Sequence, residues 1–268
     1  MPDVYSIITE VEPAVVEQLA TAMEVSAADP QHRAMVDAYL ALLDPPPGTR
    51  VVEIGCGTGA IARMIAAWPG IAEVVGTDPS PLLIDRAREL SKDLANVSFQ
   101  EADGSELPLS GSTFDVAVLH RVLSHAPEPD RLLSEALRVL RPGGQVVVFD
   151  GDYSTITLAT GEFDPLQVCV EAMVSAYVND AWVVRRLPAM VDAAGFTGVR
   201  LRSHGFVQIH DADYMVSIAD RGADALAASG RIGRELADAL KAEARRRVQE
   251  GSFFGHIAYA SLIASRPN

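Results

Sequence analysis

Cysteine is nearly absent from this 268-residue chain, which has only Cys56 and Cys169. The two lie far apart, one inside a glycine-rich turn, so neither a disulfide framework nor a C-x-x-C metal site is indicated. Basic residues are also scarce: 22 against 36 acids, for a net charge of −14. General nucleic-acid binding needs a basic face to neutralise phosphates, and this balance argues against it. A local basic groove stays compatible with the average, but the acidity reads more simply as an aid to solubility. No apolar run approaches the length of a membrane span. The N-terminus, with Asp3, Glu10 and Glu12, lacks the basic-then-apolar pattern of a secretory signal. A soluble, cytoplasmic protein is expected, as a monomer or a homodimer. Internal repeats and low-complexity tracts are missing too. What is plentiful is apolar side chain, 49% of the residues, enough for a substantial core in one large α/β domain.

The chain alternates between strand and helix patterns. A helix is predicted over Pro30–Leu43, with Met35, Val36, Tyr39, Leu40 and Leu43 on one stripe. Asp44-Pro45-Pro46-Pro47-Gly48 ends it, because proline cannot continue a helix. This boundary separates an expected N-terminal helical cap, 1–44, from a main domain, 45–268. Strands are predicted at Arg50–Ile54, Glu73–Thr77, Val97–Glu101, Phe114–Leu119 and Gln145–Asp150, with helices between them. Such alternation implies a parallel, doubly wound, Rossmann-like α/β sheet covered on both faces. Beyond Asp150, helices are expected at Phe163–Val178, Trp182–Ala194, Ala212–Ala228 and Arg231–Gln249, and strands at Val199–Ile209 and His256–Ala264.

In sheets of this kind, ligands bind outside the carboxyl ends of the strands. The first strand ends in Val51-Val52-Glu53-Ile54-Gly55-Cys56-Gly57-Thr58-Gly59. Glycines there let backbone pass close to a ligand where any Cβ would clash. Gly55, Gly57 and Ala60 also satisfy the dinucleotide pattern G-x-G-x-x-G/A, so the glycines alone do not separate a dehydrogenase from a methyltransferase. Glu53 discriminates: beside a diphosphate it adds repulsion, whereas it favours the sulfonium and ammonium groups of S-adenosylmethionine.

The remaining strand ends supply further candidates. Asp78 after the second strand suits both hydroxyls of a ribose, or alternatively a helix N-terminus. Asp103 with Gly104 after the third suits an adenine edge. His120 and His125 after the fourth are candidate general bases, since imidazole titrates near neutrality, or else hydrogen-bonded wall residues. Zinc is not expected, because no third ligand accompanies them. Asp152 and Tyr153 after the fifth could orient a polar acceptor or merely cap a turn. Arg185 and Arg186 are readable as carboxylate contacts or as solvated surface charges.

Taken in order, VVEIGCGTG, GTDPSPLLIDRARE and the run from EADGSELP to LRPGGQVVV resemble class I S-adenosylmethionine-dependent methyltransferases, of the quinone-biosynthesis type (methyltransferase type 11) that act on small molecules. The likeness covers roughly Gly48 to Asp150. It implies a seven-stranded sheet of order 3-2-1-4-5-7-6 with the last strand antiparallel. It places Glu53, Gly55, Cys56, Gly57 and Gly59 beside the methionine portion of the cofactor and Asp78, followed by Pro79, at the ribose. It also places Leu83 against adenine, Asp103 and Gly104 at the adenine edge, and the backbone of Leu119 and His120 near the methionine end. Leu82 stands where an acid is often seen. Residues 1–44 and 151–255 are the segments such families vary to build an acceptor pocket.

The expected activity is methyl transfer to an O, N or C atom of a small organic acceptor, such as a quinone-like compound or another secondary metabolite. Three rivals accompany it. An NAD(P)-dependent oxidoreductase is opposed by Glu53 and by the lack of a Tyr-x-x-x-Lys pair. A protein of this fold that uses the cofactor for non-transfer chemistry is the second. A macromolecular methyltransferase is opposed by the overall acidity.

Overall fold

The computed structural model describes residues 3–268. β-Branched and apolar runs form the five parallel strands β1 (Thr49–Ile54), β2 (Ile71–Asp78), β3 (Val97–Glu101), β4 (Phe114–His120) and β5 (Leu140–Thr157). Two more strands, β6 (Thr197–Gln208) and β7 (Gly255–Ser265), complete a sheet of order β3-β2-β1-β4-β5-β7-β6, with β7 antiparallel to both neighbours. The strand order reverses between β1 and β4, and the crevice opens there.

Helices cover both faces. Helices α2 (Pro30–Leu43), α3 (Ala60–Ala66), α4 (Pro81–Leu90), α6 (Pro165–Tyr177), α8 (Asp213–Ala228) and α9 (Arg234–Gln249) contribute to one core. Helices α5 (Pro129–Val139) and α7 (Val183–Ala193) build the other, through Leu132, Leu133, Leu187 and Val191. Four of these helices begin with proline at the first turn after an Asp, Ser or Glu cap position, where a missing N–H costs nothing. Helix α8 lies so close to α6 that a Cβ on Gly222 would meet the Cys169 carbonyl oxygen at 1.9 Å.

Two elements depart from the sequence-based expectation. Strand β5 does not start at Gln145: it runs from Leu140, with Gly143 at φ 75°, and continues past Asp150 to Thr157 because β7 supplies ladder partners along that length. Helix α1 (Pro13–Ala28) was not anticipated, although Val16, Leu19, Ala20 and Met23 follow helical spacing. Packing divides the N-terminal segment. Helix α2 belongs to the sheet core, whereas Ile8, Val16, Leu19 and Ala20 form a small separate cluster on Leu83 of α4.

Candidate active site

The carboxyl end of β1 runs fully buried into the glycine turn. The N–H groups of Gly55 and Cys56 both donate to the Thr77 carbonyl at 2.8 Å, tying the turn to β2. Gly55, Gly57 and Gly59 take φ of 75°, 54° and 73°, a region L side chains rarely adopt. A Cβ at Gly55 would lie 2.6 Å from the Val122 side chain, and one at Gly57 would lie 2.8 Å from Met23 Sδ. The turn borders a cavity of about 640 Å³ that also reaches β4, α1, the N-terminal segment and α8.

Glu53 lines this cavity while being 1% exposed, and its Oε2 has no hydrogen-bond partner. Burial pushes its carboxyl well above the usual range, a hydrogen bond from the Ala62 backbone N–H works against this, and Asp78 adds to the rise. A buried carboxylate oxygen left without a partner is costly, so the site favours a cation arriving from outside. Asp78 closes β2. Its Oδ2 accepts from Gly57 N–H at 2.9 Å and its Oδ1 from Ser80 N–H at 3.0 Å. Burial raises it to about 6, and those two N–H bonds work in the opposite direction. Both readings of Asp78 therefore hold together: it braces the turn and the start of α4 while facing the cavity.

Pro79, Leu83, Asp103 and Gly104 also line the cavity. Leu83 is buried beneath α1, on a helix capped by the Ser80 side chain. Asp103 is exposed, with Oδ1 accepting from Ser105 N–H at 2.8 Å. A Cβ on Gly104 would come within 2.8 Å of Ile54, which keeps that wall bare. Leu119 does not line the cavity: its side chain is fully buried in the α5/α7 core, and the next residue, His120, turns to the other face.

The two histidines differ. His120 stacks on Phe149 with ring centroids 4.4 Å apart, and its Nδ1 lies 3.3 Å from the Tyr39 hydroxyl. Burial, then the neighbouring Arg121 and His32, hold it well below the usual imidazole value. His125 instead places Nδ1 2.7 Å from Asp3 Oδ2, with the Tyr5 ring 4.5 Å away. Asp3 is 5% exposed and also accepts the backbone N–H groups of Asn179 and Tyr5.

Tyr153 is buried in a recess beside His125, Arg121 and Arg221, where burial raises its phenol. Asp152 is not at the cavity. Alternation along β5 turns its carboxylate outward, onto Arg185 Nε at 2.9 Å and the Ser154 hydroxyl. Arg185 is spent there, and Arg186 pairs with Asp180.

Sequence reasoning missed Asp3, Met23, Arg121, Tyr214 and Arg221 as cavity or site-supporting residues. Arg121 sits between the two histidines in the strand-end run, so its position was the available signal. Arg221 is the one basic residue on α8, among Asp213, Asp220 and Asp224, but nothing in the sequence turns it toward the cavity. Helix α1 is latched over the glycine turn by Glu24, which accepts from the Thr58 hydroxyl at 2.5 Å and pairs with Arg63 at 2.6 Å.

Residues 52–148 match the family model described as a methyltransferase domain. The chain is 30% identical over 206 residues to a ubiquinone/menaquinone biosynthesis C-methyltransferase UbiE of Rhizobium etli, covering 67% of this chain and 78% of that one. It is 33% identical over 184 residues to an arsenite methyltransferase of Halobacterium salinarum, covering 64% of this chain and 45% of that one. The chain thus spans about half the length of that relative, and 52% of an uncharacterised transposon protein of Streptomyces fradiae. Among solved structures, the [4+2]-cyclase SpnF superposes with a TM-score of 0.57 at 23% identity, covering 88% of this chain and 81% of that one, a likeness of fold. These matches displace the nicotinamide reading of the glycine turn. With these matches and its strand order, and with Glu53 buried at the glycine turn, the chain belongs to the class I S-adenosylmethionine-dependent methyltransferases.

Proposed function

We propose that the protein methylates an O, N or C atom of a compact organic acceptor, quinone-like or otherwise a secondary metabolite, with His125 as general base. The buried Glu53, whose Oε2 has no partner at the bare glycine turn, is the observation that carries the cofactor half of this reading. Glu53 and the turn would hold the cationic methionine portion, Asp78 the ribose, and Leu83, Asp103 and Gly104 the adenine. When bound, the cofactor supplies an electrophilic methyl group on a sulfonium that leaves as a neutral thioether.

The protein then has to align the acceptor and exclude water. Residues 5–9 and α1 line the cavity opposite the turn, which supports a covering role for the N-terminal segment. Segment 151–255 would complete the acceptor pocket through Tyr153, Tyr214 and Arg221. The Asp3 contact suits Nδ1–H donation, leaving Nε2 of His125 to accept a proton from the acceptor. His120, held neutral and weakly basic, serves better as a wall. No second copy of the chain is needed for these roles, which fits a monomer as well as a homodimer.

The test is incubation with S-adenosylmethionine and a panel of phenols, quinols and amines, reading S-adenosylhomocysteine. Acceptor-dependent product from the wild type, lost in His125→Ala with cofactor binding retained, supports the proposal. Acceptor conversion without S-adenosylhomocysteine would instead indicate non-transfer chemistry, and full turnover by His125→Ala would remove the base.

A further inference from the structure

Arg121 and Arg221 stand at the α8 end of the cavity, away from Leu83, Asp103 and Gly104 at the other end. Arg121 donates to the Ser26 hydroxyl at 2.9 Å and to the Tyr214 hydroxyl at 3.4 Å, and its guanidinium carbon lies 5.5 Å from the Tyr214 ring centroid. Its Nε is buried without a partner. Arg221 donates Nε to the Ser217 carbonyl at 3.3 Å and lies over Tyr177. Neither has a carboxylate within ion-pair distance among the described residues. Of the acids around the recess, Asp3 is engaged by His125 and two backbone N–H groups, and Asp150 by the Ser124 hydroxyl and the backbone N–H groups of Ser124 and Gly151.

The surrounding hydroxyls do not neutralise them. Burial raises the phenols of Tyr5, Tyr153 and Tyr259, keeping them protonated, and it lowers His32 to about 3, keeping that ring neutral. Two guanidiniums, which stay charged at any working pH, therefore share a recess of aromatic walls with no counter-ion. Arg121 is also held at φ 58°, a conformation that costs on the order of 1 kcal/mol or more in a non-glycine residue and persists where the surroundings impose it.

We infer that the acceptor carries a carboxylate, held by Arg121 and Arg221, with its nucleophilic atom between them and the glycine turn, near His125. A carboxylate matches the planar guanidinium fork, and the adjoining cavity of about 640 Å³, bordered by Tyr5 and Tyr214, has room for a flat hydrocarbon body. This assignment rests on the proposed methyl transfer and narrows its acceptor class.

Calorimetry on the full chain preloaded with S-adenosylhomocysteine tests it, with benzoate and the isosteric, uncharged benzamide as probes. The wild type should bind benzoate at least about tenfold more tightly than benzamide, as expected for loss of one charge-assisted contact. Arg221→Gln and Arg121→Gln should each shrink that ratio severalfold while S-adenosylhomocysteine affinity stays unchanged. Either variant alone suffices should the other not fold. A wild type without preference for benzoate, or a preference surviving in any folded variant, overturns the inference, as does tighter binding of phenyl phosphate than of benzoate, or a fall in S-adenosylhomocysteine affinity in a folded variant, which would assign that arginine to the cofactor's own carboxylate. Failure to bind S-adenosylhomocysteine at all would count against the cofactor reading instead, so the two failures are separable.

Discussion

The two ends of the cavity carry opposite charge and solve opposite problems. At the glycine turn, Glu53, Asp78, Glu101 and Asp103 gather around bare backbone; at α8, Arg121 and Arg221 gather among phenols. In a protein of net charge −14 the acidic end is unremarkable by composition, and the basic end is the departure. The acidic end comes from strand termini, whose positions the sheet dictates. The basic end comes from a strand-end loop and a late helix brought together only by folding. Specificity for the cofactor is thus built into the common framework, and specificity for the acceptor into what is appended to it.

The junction between the ends is where the largest effect is expected. His125→Ala should lower kcat by roughly 10²–10⁴-fold, the usual range for a positioned acid–base group, with cofactor affinity intact. Asp3→Asn should lower it less, because the ring keeps its place but loses its charged partner. A change in cofactor affinity alone would instead assign both residues to the cofactor end.

Next in size is Glu53→Gln, which keeps the shape and removes the charge. Cofactor affinity should fall by about 2 kcal/mol, or roughly 30-fold, as for loss of a charge-assisted contact, while benzoate binding at the other end is untouched. Calorimetry reads both quantities on one sample.

Acid–base behaviour sharpens the comparison further. In the folded protein Asp78 is raised to about 6 and Glu53 is raised well above its ordinary value, both by burial. The folded state therefore holds more protons than the unfolded state above about pH 4. The contribution of these two acids to the stability of the cofactor-free protein is full below that pH and falls as pH rises through about 6, continuing as Glu53 ionises. A saturating positively charged cofactor favours the ionised carboxylates and should flatten this fall. Melting temperatures at pH 5 and pH 8, with and without S-adenosylmethionine, measure it; a cofactor-independent slope would detach these acids from the ligand.

The smallest effect belongs to Asp152→Asn. Its partner Arg185 is half-exposed, so the loss should be under about 1 kcal/mol in stability, with turnover unchanged. A large loss of turnover would extend the acceptor site outward along β5.

How much of this was legible in the sequence follows the same division. Each parallel strand was marked by a short apolar run, and Glu53, Asp78 and Asp103 lie at strand ends where local pattern suffices. Helix α1 escaped notice because its apolar stripe is short and its burial is completed only by Leu83 from α4. Asp152 was misplaced because the alternation of β5 turned its side chain outward, whereas the expectation for Leu119 concerns its backbone, which its side-chain burial leaves open. Asp3 could not be paired with His125 by any local rule: 122 positions separate them, and only the closure of the N-terminal segment brings them together. Arg221 is hidden for the same reason, since its isolation from acids is a property of three-dimensional neighbours.

That contact between the beginning of the chain and His125 has a consequence for turnover. On the proposed role of His125, the residue that fixes the imidazole belongs to the same N-terminal segment that lines the chamber, so covering the chamber and orienting the proton acceptor would depend on one set of contacts. Idle consumption of the methyl donor would then be held down by the same few residues that permit productive turnover.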